Sequence, residues 1–379
     1  PPRSTLFPYT TLFRSEVAEE VTQDLTPTIE NNIDSVQDET IILDSLQAVM
    51  NSQKYGIFGV GATGNESVKT LENEDIRVEV STKGASIKEV ELKHFETFFD
   101  EPLVLLTDKS NQFNLTLNTP GKVIELTDLF YSYSSSADND TTVHIFELSI
   151  PQIGKIRHTY EMPNAGYEVG YKLELTGLDS YVTKEDLILK WEDHIRPQEK
   201  DIELSRTNTT INYFTVSGDF DYLSERSTGL EEEVIDERVN WASIKQRFFI
   251  AGIVAKNDFS SAAVSTDFNP EDESEVKFAQ LALSIPYADL TSNKGEFKYY
   301  FGPNDYHITK HVAKDFSKNL WLGWPPMIWV NKFIIIPLFD LLNNFLSNYG
   351  IIIMIMVLVI KLALRSEEHT SELQSPVPT

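Results

Sequence analysis

One lysine, Lys361, interrupts an otherwise unbroken apolar run: Ile351 to Ile360 precede it and Leu362-Ala363-Leu364 follow. An ammonium group in hydrocarbon costs roughly 2.5–3.5 kcal/mol on insertion scales. Such a residue calls for a hydrated cavity or an acidic partner. Counted from Gly350 along a helix, it lies about 17 Å in, at ~1.5 Å per residue, which is mid-bilayer depth. Snorkelling to an interface is the alternative, and that depth works against it. Upstream, Trp321, Trp324 and Trp329 fall within nine residues. An apolar ring with a polar N–H tip is favoured where membrane meets water, so these three mark a membrane-interface site. A buried core helix is the competing reading of that stretch.

Other constellations carry less. Gly59-Val60-Gly61-Ala62-Thr63-Gly64 fits a dinucleotide-loop spacing, but no strand precedes it and no long helix follows, so it reads as a glycine-rich linker. Asp267 to Glu275 is acidic enough to tempt a calcium assignment. Its sixth and twelfth positions, however, are Asp272 and Phe278 where a calcium loop needs Gly and Glu; a solvated hairpin tip fits better. His307 and His311 are spaced to share a helix face, yet no third ligand stands at a suitable offset. Trp191-Glu192-Asp193-His194 gathers carboxylates and an imidazole without a nucleophile. No catalytic residue, cofactor or metal site is expected. Zero Cys excludes disulfides and thiolate chemistry, without fixing the compartment. With 32 Lys+Arg against 58 Asp+Glu, the net charge of -26 argues against nucleic-acid binding.

The elements that must position these residues change character along the 379-residue chain. Residues 1–15 (PPRSTLFPYTTLFRS) and 365–379 (RSEEHTSELQSPVPT) read as translated sequencing adapter, so the native insert is expected over about 16–364, cut at both ends. Residues 16–65 read as an acidic, disordered linker; Glu16 to Gln53 holds nine acidic residues and no Lys or Arg. An apolar patch from Ile41 to Met50 predicts at most one short helix there. From 66 to 304 the pattern is β. Tyr167 to Leu175 alternates strictly, and Ile76–Val80, Val143–Ile150 and Ile156–Tyr160 follow the same grammar. Phe248–Val254 is more fully apolar and predicts a central strand. Turn clusters such as Pro163-Asn164-Ala165-Gly166 separate them, which implies an antiparallel sandwich. Residues 305–320 predict a connecting helix leading out of the sandwich. Residues 321–348 predict an amphipathic interfacial helix, and 349–364 the start of a transmembrane helix.

Several stretches resemble the YidC membrane protein insertase family in its Bacteroidetes-like form. They are Leu71-Glu72-Asn73-Glu74 with Val78…Lys83-Gly84, Trp241-Ala242-Ser243-Ile244-Lys245-Gln246-Arg247-Phe248-Phe249, Tyr300-Phe301-Gly302-Pro303-Asn304, and Phe333 to Leu364. The resemblance covers about Tyr55 to Leu364. It implies a mainly β fold, an antiparallel β-supersandwich periplasmic domain, followed by an interfacial helix and a truncated second transmembrane helix. It also implies that Lys361 is the basic residue of a hydrophilic substrate groove. The implied activity is insertion and folding of inner-membrane proteins, without ATP, cofactor or covalent chemistry. Implied partners are nascent inner-membrane proteins, the Sec translocon (SecYEG, SecDF), the ribosome and the lipid bilayer. The implied location is the bacterial inner membrane, multi-pass in the intact protein. The first transmembrane helix and most of the membrane core would be missing here.

Two rivals stand beside this reading. A carbohydrate-processing or carbohydrate-binding sandwich should show paired carboxylates or a His–Glu pair in an aromatic cleft, and only His194 with Glu192 or Asp193 can be nominated. A membrane-tethered scaffold would share the β domain but not the groove.

Overall fold

The computed structural model describes residues 36–372, with side chains over 45–362. The expected adapter-like start and most of the acidic stretch lie outside the described residues. Among the described residues, nineteen strands form three antiparallel sheets. The first is a meander of β1 (Val68–Glu72), β2 (Ile76–Ser81), β3 (Ile87–Glu96) and β4 (Pro102–Leu106). Next come β5 (Asn111–Thr119), β6 (Lys122–Glu125), β7 (Ser132–Asp138), β8 (Thr141–Ile150), β9 (Gly154–Pro163), β10 (Glu168–Thr176) and β11 (Leu187–Ile195). Then follow β12 (Thr210–Thr215), β13 (Phe220–Tyr222), β14 (Glu231–Ile235), β15 (Val239–Lys245), β16 (Phe249–Phe259), β17 (Ser261–Asp267), β18 (Lys277–Ile285) and β19 (Glu296–Pro303). A nine-stranded sheet runs β13-β12-β15-β16-β19-β10-β9-β8-β7, and a six-stranded sheet runs β14-β17-β18-β11-β5-β6.

The two large sheets face each other, as the alternating strands require. In β10, Val169, Tyr171, Leu173 and Leu175 are buried, while Lys172 and Glu174 pair on the outer face. Phe113 of β5 meets Tyr299 of β19 edge-on at 6.0 Å, and Trp191 of β11 meets Phe301 at 6.5 Å, so rings from both sheets interlock. Opposite charges face each other across the ladder where the outer face is wet: Glu147 of β8 sits opposite Arg157 of β9 and 2.6 Å from its guanidinium. β16 lies between β15 and β19, the interior position its apolar run predicts.

The segment expected as a helix leading out of the sandwich does something else. It forms a single turn, α4 (Tyr306–Thr309), then a 3-10 turn (Phe316–Asn319), interrupted by Asp315 in the left-handed region at φ 59°. Val312 and Phe316 fold back onto Phe214, Trp241, Ile250 and Tyr300 of the nine-stranded sheet. Trp241 donates its indole N–H to the Lys314 carbonyl at 2.9 Å. A second layer therefore covers the outer face of β12, β15, β16 and β19. That explains why β12 is buried at every position, against the period-2 rule.

The expected linker through residue 65 also differs. A helix, α1 (Val36–Tyr55), is followed by a 3-10 turn (Gly56–Gly61) whose Phe58 is buried in the core. A Cβ on Gly61 would sit 2.8 Å from Leu148, and one on Gly64 would sit 2.6 Å from the Phe130 ring. These glycines allow close packing and are not linker residues.

Beyond the sandwich the chain is helical: α5 (Pro325–Val330), a π-turn (Asn331–Ile335), α6 (Ile336–Asn343) and α7 (Tyr349–Glu372). The last runs past Leu364 into the stretch expected as adapter, whose side chains lie outside the described residues. Two short helices, α2 (Ile202–Arg206) and α3 (Tyr287–Thr291), sit in loops of the sandwich.

Candidate membrane-facing site

α5, the π-turn and α6 form one helical stretch, Pro325–Asn343. Its mean hydropathy is 1.4 and none of its apolar window is buried. Pro at the first turn costs no hydrogen bond there, and the wider π-turn follows at Asn331. Among the described residues this is the one helix long and apolar enough to cross a membrane. Tyr349–Leu362 is a shorter apolar helix.

Two polar residues of this stretch, Asp340 and Lys332, meet α4. Asp340 Oδ2 is 3.1 Å from His307 Nε2 of α4. Lys332 Nζ stands 5.3 Å from the centre of the Tyr306 ring, also on α4. Asn331 donates to the Leu322 carbonyl at 2.8 Å. Away from these contacts the surface is apolar and open. Trp321 is 79% exposed, Trp324 63%, Trp329 58% and Phe333 65%. The three tryptophans thus share one open, aromatic stretch, with Trp329 and Phe333 at 5.7 Å. No group of three or more metal-ligating side chains, with or without His307 and His311, occurs among the described residues.

Lys361 sits on α7, which Asn348 caps by accepting from the Gly350 and Ile351 N–H groups at 2.9 and 3.3 Å. Phe339 and Tyr349 stack at 6.1 Å across the corner between α6 and α7. Lys361 is exposed, and the residues one turn back and beside it are exposed and apolar: Val357, Leu358 and Leu362. The described residues bring no acidic group to it.

The Trp191–His194 cluster dissolves on the strand. β11 alternates, so Trp191 and Asp193 point inward while His194 faces water and Glu192 leans outward to Lys190 at 2.6 Å. Trp191 stacks on Phe113 at 4.9 Å and donates to Asn111 Oδ1 at 2.8 Å. His194 pairs with Glu275 at the surface. Glu192 and His194 share the outer face and both line a polar cleft of about 440 Å³, but Glu192 is held by Lys190 and Gln280 and His194 by Glu275, while Asp193 points away from it. Asp193 is buried with neither carboxylate oxygen hydrogen-bonded. Loss of hydration pushes its carboxyl up from 3.8 to about 8.

Two further features are invisible to periodicity. The acidic 267–275 segment is the β17–β18 connection, and it is organised around a buried guanidinium. Arg206, 2% exposed, donates to the carbonyls of Asn269, Asp272, Glu275 and Val276. Lys277, also buried, donates to the Thr209 and Glu225 carbonyls at 2.8 and 3.0 Å, and burial lowers its ammonium to about 8. The spacing of apolar residues carries no signal for either charge.

Comparison with known proteins agrees with the architecture. Residues 69–341 match the family described as the YidC periplasmic domain. The membrane protein insertase YidC of Amoebophilus asiaticus is 33% identical over 370 residues, 95% of this chain and 60% of that protein. The protein of the same name from Cytophaga hutchinsonii is 34% identical over 334 residues, 84% of this chain and 54% of its own length. The chain thus spans little more than half the length of these curated relatives. Among solved structures, a galactose mutarotase-like protein from Lactobacillus casei covers 62% of the chain at 10% identity with a TM-score of 0.39, too low to carry an argument about fold or activity. The chain belongs to the YidC family and carries its periplasmic domain.

Proposed function

We propose that the chain is the exported part and first membrane-contacting part of an insertase that helps inner-membrane proteins enter and fold in the bilayer. In this reading the β domain stands in the periplasm. Pro325–Asn343 lies along the outer surface of the inner membrane, and α7 enters the bilayer carrying Lys361. The observation that carries the reading is the lone ammonium of Lys361 on an exposed apolar helix face. A cation there is costly in hydrocarbon unless water and acidic groups reach it. A hydrated groove supplies the water, and acidic residues of an incoming segment supply the counter-charge. The groove then lowers the barrier for those residues by electrostatic attraction, without covalent chemistry.

Two contacts support a surface-lying orientation of Pro325–Asn343. Lys332 and Asp340 are eight residues apart, about 12 Å along a helix, and both meet α4. A helix leaving the β domain to span a bilayer would move away from α4 over that distance. A helix lying in the interface stays alongside it. The aromatic residues on its open side then sit at headgroup level. The Sec translocon and the ribosome are proposed partners on family resemblance alone.

The test is complementation. Residues 16–364 replace the matching part of the Amoebophilus asiaticus relative, in cells depleted of their own insertase. The chimera should restore growth and insertion, Lys361→Arg should retain both, and Lys361→Ala should lose most of them. Unchanged insertion by the Lys361→Ala chimera would remove the groove-charge role. A chimera that reaches the membrane folded and yet inserts nothing would overturn the assignment.

A further inference from the structure

At the end of the β domain where α4 begins, four loops enclose a groove of about 680 Å³. They are the β3–β4 hairpin, the segment before α2, the β15–β16 turn and the exit of β19. Phe98 N–H donates to the Gln198 carbonyl at 2.9 Å and Asn304 N–H to the Phe248 carbonyl at 2.7 Å, so the loops are tied to one another. The floor is apolar, with Phe95 and Phe249 in edge contact at 5.2 Å. Three phenylalanines at its mouth stay open to solvent: Phe98 at 57%, Phe99 at 59% and Phe248 at 50%. A soluble domain rarely leaves such a cluster uncovered without a partner for it.

Two more observations point to what covers it. First, three residues that line the groove each carry a buried side-chain atom with no hydrogen-bond partner: Gln246 Nε2, a donor, and Gln198 Oε1 and Asn304 Oδ1, both acceptors. Gln246 is only 7% exposed. A buried, unmatched polar atom costs about 1–3 kcal/mol, so this set calls for a ligand that both accepts and donates. The rim carries both signs as well. Lys200 Nζ stands 5.7 Å from the Phe98 ring and Arg247 lies 4.6 Å from Phe248, with Glu96 and Asp201 beside them. Second, the groove adjoins the membrane-contacting helix. Asp305 lines it, and the next two residues, Tyr306 and His307, touch Lys332 and Asp340.

We infer that this groove is a phospholipid site that seats a phosphoethanolamine headgroup, with the Phe98–Phe99 hairpin and Phe248 dipping into the outer surface of the bilayer. The phosphate takes the Gln246 N–H and the Lys200 ammonium. The headgroup amine donates to Gln198 and Asn304, and the acyl carbons cover the phenylalanines. An extended apolar peptide would use the same floor, but it would not explain why the site opens beside the membrane helix. The inference rests on the proposed interfacial placement of Pro325–Asn343.

The absence of Cys makes the test simple. The full chain, carrying Phe99→Cys labelled with an environment-sensitive fluorophore, is reconstituted into phosphatidylcholine vesicles with or without phosphatidylethanolamine. Nitroxide-headgroup lipid serves as the quencher. Ser180→Cys, beyond the opposite end of β10, is the control, and Phe333→Cys reports the interfacial helix. Quenching at Phe99→Cys should exceed the Ser180→Cys control several-fold in vesicles containing phosphatidylethanolamine. It should fall in phosphatidylcholine alone, and fall toward the control when Phe248→Ala or Gln246→Leu is added. Both variants should keep the parent melting temperature. Quenching at Phe333→Cys but not at Phe99→Cys overturns the lipid site and leaves the interfacial helix standing; quenching at neither overturns both. Equal quenching without phosphatidylethanolamine overturns the headgroup assignment. Protection of the Phe99→Cys probe by an added apolar peptide, without lipid quenching, makes the groove a peptide site and overturns the inference.

Discussion

Trp191 and Trp241 are wholly buried among other rings, whereas Trp321, Trp324 and Trp329 stand 79%, 63% and 58% exposed. The same contrast runs through the aliphatic residues. Leu173, Leu281 and Ile253 lose all contact with water inside the sandwich, while Leu341, Met354 and Leu358 on α6 and α7 stay more than half exposed. The side-chain types are alike; the partners differ. In the β domain a second sheet or the α4 segment supplies the apolar surface. Among the described residues after 320 only Ile352 is buried, although burial of a large apolar side chain is worth roughly 1.5–3 kcal/mol. A region that forgoes that gain over some forty described residues agrees with the proposed placement against a lipid bilayer.

Substitutions at the two kinds of tryptophan should separate the regions most sharply. Trp241→Ala empties the space between Phe214 and Phe316 and strands the Lys314 carbonyl. It should cost about 3–5 kcal/mol in urea unfolding of the β domain. Trp324→Ala should leave that transition within about 0.5 kcal/mol while weakening vesicle binding. A β domain equally destabilised by both would erase the distinction. Smaller, but still inside the β domain, Arg206→Ala removes the donor shared by four carbonyls and should cost about 3 kcal/mol. It should also raise amide exchange in the 267–275 connection.

Asp193 should give a gain, and one that depends on pH. Its carboxyl titrates near 8 when folded and near 3.8 when free. Between those values the folded state holds a proton that the unfolded chain has released, so stability falls as pH rises through that window. Asp193→Asn keeps the shape and cannot ionise. It should stabilise the domain by several kcal/mol at pH 7.5, with the difference shrinking to ~0.5 kcal/mol near pH 4. Melting curves across that range give the answer, and a variant that is less stable at pH 7.5 would mean the carboxylate has a partner after all.

How much of this could be read from the residues follows the same division. Strand faces were legible because alternation is local: Tyr167 to Leu175 announces its buried face without reference to any other strand. Trp321, Trp324, Trp329 and Lys361 stood out by composition alone, and their proposed membrane roles rest on that and on their exposure. The α4 segment was not. Its apolar residues fit a helix, and only the apolar outer face of β12 and β15, a distant feature, explains why Val312 and Phe316 fold back. The buried charges of Arg206, Lys277 and Asp193 were illegible for a related reason: Arg206 and Lys277 are held by distant backbone carbonyls, with Glu203 also paired to Arg206, and Asp193 has no hydrogen-bond partner. Gly61 and Gly64 looked like linker because the side chains they make room for, Leu148 and Phe130, lie far along the chain.

The placement of Pro325–Asn343 decides whether the region after residue 320 is surface-bound in the way described. With no native Cys, Met327→Cys and Asn343→Cys can each be introduced alone into vesicle-reconstituted protein with the β domain outside. Both are then treated with a membrane-impermeant maleimide. A helix lying in the interface predicts labelling of both positions from the outside, without permeabilisation. Labelling of Met327→Cys from outside, with Asn343→Cys reached only after the vesicles are opened, would show a spanning helix and contradict the account.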